Sequence, residues 1–360
     1  MRIKSLLLAV SLVFAFTFIV QGVCSAQTNK NLPNIRIIGT GGTIASSGDS
    51  TTMTVGYTNA NIAIESVINS VPELKNVANV TGEQFVQIAS FNMTNDIWLK
   101  LGKRVNELLA SPDVDGIVIT HGTDTIEETA YFLNLVVKSD KPVVIVGAMR
   151  PATAMSADGP INLYNAVVLA GSKEAKGKGV LITLNDTING ARETTKTSTF
   201  LADTFKAEEL GALGYIQENK AQFYRQSVRR HTTNSEFDIS KLTELPKVDI
   251  VYGYADNNRL AVDAFAQNGA KGIVSAGTGN GSFSDALLAG MIDARQANII
   301  IVRSSRTGDG MVARNGEVED DKYDFVVADN LNPQKARILL MLALTKTTDT
   351  KEIQRIFWEY

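Results

Sequence analysis

Short β-branched runs alternate along this chain with longer amphipathic segments, and few folds accommodate that alternation. Runs at 35–38, 85–89, 116–120, 143–146 and 180–184 predict strands, and the segments at 62–69, 96–109, 126–137 and 160–170 predict helices between them. Strand, helix and strand in succession make βαβ units on a parallel sheet with right-handed crossovers. The expectation is a doubly wound, flavodoxin-like α/β domain. A polar stretch from about 221 to 246, with Arg225, Arg229, Arg230 and His231, breaks the pattern and reads as a linker. Strand runs then resume at 250–254, 272–276 and 299–303, and helical patterns follow near 333–345 and 351–357, which predicts a second, smaller α/β domain. With 360 residues the chain exceeds what one core usually organises, in keeping with two domains. The expected division is an N-terminal catalytic domain at 27–224, a linker at 225–246 and a C-terminal domain at 247–360.

Residues 1–26 read differently from the rest. Arg2 and Lys4 precede an apolar stretch at 6–20, and Cys24-Ser25-Ala26 puts small residues at a cleavage position before Gln27. This is the pattern of a secretory signal peptide, with cleavage expected near Ala26. The stretch is short for a membrane span, no basic cluster stops it, and Val23 is bulky for the position before a lipidated cysteine. Periplasmic or secreted protein without stable membrane association is the expected product. Removal of the leader also removes Cys24, the only cysteine, so thiol chemistry, disulfides and cysteine-based metal sites are not expected. His121 and His231 are the only histidines, too few for a His-rich metal cluster, and neither metal nor cofactor is expected. A net charge of −3 lacks the basic excess that phosphate backbones require, so nucleic acid is not an expected partner.

In open parallel sheets ligands bind at the carboxyl ends of strands where the winding reverses. Two such ends stand out. Gly39-Thr40-Gly41-Gly42-Thr43 follows the first strand, and Thr120-His121-Gly122-Thr123-Asp124-Thr125 follows the third. The first loop does not match the dinucleotide fingerprint, because Ile44 stands where the third glycine belongs, and no Walker-type loop occurs. Taken alone, it is either a backbone cradle for an anion such as a carboxylate or a tight turn. A threonine hydroxyl attacks only when a neighbour takes its proton. His121 lies close to Thr123 in sequence, but a histidine at a strand end is more often a hydrogen-bonded structural residue. A lysine beside an orienting carboxylate is the other common base, and Lys196 and Asp124 supply those groups. Spacing alone does not bring Lys196 to Thr123.

Taken in order, Thr40-Gly41-Gly42-Thr43-Ile44-Ala45, the segment 121–133, Gly147 to Pro151, the segment 156–166 and Asn332 to Arg337 resemble the type II bacterial L-asparaginases, from about Leu32 to Tyr360. The resemblance implies hydrolysis of the side-chain amide of L-asparagine by a threonine nucleophile through an acyl-enzyme. It assigns Thr43 as nucleophile and Tyr57, on a loop of differing length, as its hydrogen-bond partner. It assigns Thr123, Asp124 and Lys196 as a second catalytic triad. Ser90 and Asp124 match the positions that hold the substrate's α-carboxylate and α-ammonium, and Thr123 also contacts substrate. Asn280 and Glu317 match positions that a neighbouring subunit lends to the site, which implies a homo-oligomer, a tetramer built as a dimer of dimers. One departure concerns Phe91, where the family usually carries Gln or Glu beside the α-ammonium. The expectation drawn from it is a strong preference for asparagine, with glutamine a poor substrate. An amino-acid-binding protein with two α/β domains is the reading from another class, separable by assaying ammonia release. A self-cleaving N-terminal nucleophile hydrolase would be separable by intact mass.

Overall fold

The computed structural model describes residues 32–360; the expected leader and Cys24 lie outside the described residues. The first sheet contains β1 (Asn34–Gly41), β2 (Asn79–Ile88), β3 (Gly116–Thr120), β4 (Val143–Val146) and β5 (Val180–Leu184), paired in parallel in the order β2-β1-β3-β4-β5. That is the flavodoxin-like order, with its switch point between β1 and β3. The expected strands are all present. The second, however, begins six residues earlier than its apolar run, because the polar stretch at 79–84 pairs with β1 from Asn34↔Asn79 onward.

Side-chain alternation explains the two covered faces. Along β3, Ile117 and Ile119 enter one core while Val118 enters the other. The first core receives α2 (Asn95–Ala110) and α3 (Ile126–Val136), and the second receives α1 (Ile64–Asn69) and α4 (Gly159–Ala170). Helix α2 starts where Thr94 caps it, its hydroxyl accepting from Ile97 N at 3.2 Å. Three strands that the β-branched runs do not mark extend the sheet antiparallel: β6 (Thr187–Gly190), then, after the two-residue strands β7 (Thr195–Lys196) and β8 (Phe205–Lys206), β9 (Gly214–Gln217) and β10 (Lys220–Phe223). Their turns use Asn185-Asp186 and Glu218-Asn219, all four at positive φ, the geometry of tight hairpins.

The second sheet is parallel, in the order β11 (Val248–Tyr252), β12 (Gly272–Gly277), β13 (Ile300–Ser305) and β14 (Val326–Val327). Helices α5 (Leu260–Gln267), α6 (Asp285–Gln296) and the single turn α7 (Asp320–Tyr323) join its strands, and α8 (Pro333–Ala343) and α9 (Thr350–Glu359) close the chain. Helix α8 packs on both α3 and the second sheet, so one apolar core runs from the first sheet into the second. The connecting residues 225–246 are polar overall, yet Phe237 and Ile239 are buried in that shared core. The connector is thereby held down along its length.

Candidate active site

Three glycines let the loops at the switch point touch. A Cβ on Gly42 would lie 2.3 Å from Gly122 Cα, and one on Gly122 would lie 2.6 Å from Ser90 Oγ. Gly41 and Gly42 also sit at φ 103° and 79°, a region side chains rarely occupy. The first loop is therefore a tight turn, and it leads into a three-residue 3₁₀ turn at Thr43–Ala45. Two threonines fasten the loops: Thr40 Oγ1 donates to Thr120 O at 2.8 Å, and Thr125 Oγ1 donates to Ser90 O at 2.8 Å.

The result is a cavity of about 480 Å³ lined by Thr43, Tyr57, Ser90, Thr123, Asp124 and Lys196 among others. Thr43 is nearly buried, and its Oγ1 lies 2.8 Å from Tyr57 OH. Tyr57 comes from a largely exposed loop. That loop is anchored at its base by the bridge between Ser47 and Thr58 and by Ala60 N donating to Ser46 Oγ at 2.8 Å. On the opposite wall Lys196 Nζ lies 3.0 Å from Thr123 Oγ1 and 2.7 Å from Asp124 Oδ1. Asp124 and Lys196, 72 positions apart in sequence, meet because β7 ends beside the loop after β3.

His121 is fully buried with both ring nitrogens engaged. Nδ1 faces Gly122 O at 2.7 Å and must carry the proton, so Nε2 accepts from Thr129 Oγ1 at 2.9 Å. Thr129 Oγ1 in turn accepts from Trp98 Nε1 at 2.8 Å. Burial pushes the imidazole down to about 4, which keeps it neutral. His121 is a structural residue, and the expected discount of it as a base agrees with its place here.

Several wall residues carry no assigned role in the sequence. Met149 and Arg150 line the cavity because their backbone N–H groups donate to the Asp158 carboxylate at 2.9 Å each. Thr54, Val55 and Asn59 from the Tyr57 loop, and Thr199 and Phe200 beyond Lys196, complete the rim. Phe91 also lines the cavity, 63% exposed, and among the described residues its ring has neither an aromatic nor a cationic neighbour. Asn280 and Glu317 are not in this wall. Asn280 Oδ1 accepts from Ala313 N at 2.8 Å and Glu317 accepts from Ser282 Oγ, both in the loops at the ends of the second sheet's strands.

Comparison with known proteins places the chain in a family. The family models described as "Asparaginase, N-terminal" and "Glutaminase/Asparaginase C-terminal domain" match residues 34–229 and 247–357. The chain is 56% identical to L-asparaginase 2 of Bacillus subtilis over 336 residues, covering 93% of this chain and 89% of that one. It is 55% identical to a glutaminase-asparaginase of Pseudomonas fluorescens biotype A, covering 93% and 92% respectively. The crystal structure of a probable cytoplasmic L-asparaginase from Campylobacter jejuni superposes with a TM-score of 0.89 at 50% identity, over 91% of this chain and all of that one. A binding protein without chemistry is thereby set aside. The chain belongs to the asparaginase family, with its type II bacterial members, and is an amidohydrolase acting on a linear amide.

Proposed function

We propose that the chain hydrolyses the side-chain amide of L-asparagine to L-aspartate and ammonia, with Thr43 as nucleophile and glutamine as a poor substrate. The observation that carries this reading is the convergence in one cavity of two threonine hydroxyls, each with its own proton partner. Thr43 Oγ1 attacks the amide carbon while its proton passes toward Tyr57. The C–N bond then breaks, ammonia leaves with the proton, and an aspartyl ester remains on Thr43. Thr123, held by Lys196 Nζ, positions and activates the water that cleaves the ester, the water's proton returns to Thr43 Oγ1, and Asp124 orients the lysine. Ser90 holds the α-carboxylate and Asp124 the α-ammonium. None of these steps calls for a metal or cofactor.

Within one chain the cavity wall lacks Asn280 and Glu317. This supports a homo-oligomer, a tetramer of two intimate dimers, in which a neighbour supplies them. The functional division adopted is a leader at 1–26, a catalytic domain at 27–224, a connector at 225–246 and a C-terminal domain at 247–360, with the mature protein periplasmic or secreted. Steady-state ammonia release from asparagine and glutamine by one preparation, read beside its sedimentation, tests the reading. The expected result is an oligomer with a far larger specificity constant for asparagine. Equal constants, or full activity in a monomer, would contradict it.

A further inference from the structure

Helix α8 carries a lysine where a helix in a shared core ordinarily carries an apolar residue. Lys335 is 2% exposed. Burying an ammonium is costly unless its donors find partners, and here each of its three directions is occupied. Nζ donates to Arg192 O at 2.8 Å and to Thr194 O, and it faces the carboxylate of Glu127 at 3.9 Å. Burial brings the lysine down to about 8, opposed mainly by Glu127.

The two anchor points have a common feature. Thr194 lies two residues before Lys196, and Glu127 sits in the first turn of α3, four residues after Thr123. Lys196 ends β7, which is two residues long and pairs with the equally short β8; the loop beyond it closes on Thr204, and Thr194 before it otherwise bonds back to the nearby Gly190. Glu127 is held from α8 as well, by Gln334 Nε2 at 2.8 Å and Asn332 Nδ2 at 3.5 Å, and Asn332 also caps the helix. One buried cation therefore ties together the two backbone segments whose separation sets the contact between Lys196 and Thr123.

We propose that Lys335, from the second half of the chain, is a positioning residue that fixes the distance between Lys196 and Thr123. The proposal rests on the reading of Thr123 and Lys196 as a catalytic pair. An apolar residue would fill the space, but it would leave the carbonyls of Arg192 and Thr194 without this donor and let the strand before Lys196 shift.

The test uses Lys335→Met, which keeps the length and removes the donors, and Lys335→Gln, which keeps an N–H donor. Each is made alone and with Lys196→Met, and assayed on asparagine with thermal unfolding as the check of folding. A displaced catalytic group costs roughly 10- to 100-fold in kcat. Lys335→Met should show that loss chiefly in kcat, with KM changed by less than about threefold, since Ser90 and the Thr43 wall are untouched. Lys335→Gln should recover part of it. Added to Lys196→Met, either change should cost little more, because groups acting as one unit are non-additive. Normal kcat in the folded Lys335→Met variant, or losses that multiply in the double variant, overturns the proposal. If Lys335→Met does not fold, the same cycle is run with Lys335→Gln and read in the same way. Near-normal turnover in Lys196→Met alone would remove the catalytic pair itself, and this proposal with it, whereas a severe Lys196→Met loss beside a harmless Lys335→Met removes only the positioning role.

Discussion

The two walls of the cavity each present a threonine, and they hold it in opposite ways. Thr43 is nearly buried, but its partner Tyr57 arrives on a largely exposed loop, and the bond between them joins two neutral hydroxyls. Thr123 faces the ammonium of Lys196, which is itself paired with Asp124, and the segments carrying Thr123 and Lys196 are fastened from behind by buried groups of α8. A hydrogen bond between neutral groups contributes modestly, while charge-assisted ones are roughly twice as strong. The difference suits a division of labour. The first wall is built from a surface loop, and the second is organised within the fold.

Of the partners of the two threonines, the charged one, Lys196, should cost the most to lose. Removing a positioned acid or base typically lowers turnover by about 10²–10⁴-fold, and Lys196→Met should fall in that range. Thr123→Ala should match it, and the double variant should be little worse than either. Multiplicative losses in steady-state kinetics would show the two groups working apart.

The uncharged partner should matter less. Tyr57→Phe removes one hydroxyl hydrogen bond and keeps the ring, so kcat should fall by roughly ten- to a hundredfold. A larger loss than that of Lys196→Met would reverse the ranking of the two partners.

The smallest effect is expected at Phe91, on the rim between them. Its exposed ring cannot accept a conventional hydrogen bond from an α-ammonium, and a cation–π contact there would contribute only about 0.5–1 kcal/mol. Phe91→Gln should raise turnover of glutamine relative to asparagine by about two- to fivefold, an effect of similar size. An unchanged ratio of the two specificity constants would show that Phe91 does not govern selectivity.

The walls also differ in how far the sequence discloses them. Thr43 and Thr123 are visible because both follow strands whose β-branched runs are plain, at the ends where parallel sheets bind ligands. The contact between Lys196 and Thr123 is not visible from spacing, since it depends on the path taken by β6 and β7, and it entered only through resemblance to a family. Strands β6, β9 and β10 are short, and the last two alternate buried or half-buried with exposed residues, so their composition carries little strand signal. Helix α5 fully buries only Val262 and exposes Leu260, and it starts at Arg259 without a side-chain cap, so it lacks the usual markers. Lys335 gives no sign of its role, because a lysine within a helical pattern ordinarily reads as solvated. The connector looked polar for a related reason: Phe237 and Ile239 are isolated apolar residues, and only their burial marks them as anchors.

In the proposed mechanism Thr43, and not Thr123, attacks the amide carbon. This assignment is tested most directly by quenching the enzyme in acid during turnover of asparagine and mapping its peptides by mass, in the wild type and in Lys196→Met, where slower activation of water lets the ester accumulate. The account predicts the added mass of one aspartyl group on the peptide bearing Thr43, and its absence in Thr43→Ala together with a loss of turnover of about a thousandfold or more. The same added mass on the peptide bearing Thr123, or near-normal turnover by Thr43→Ala, would contradict it.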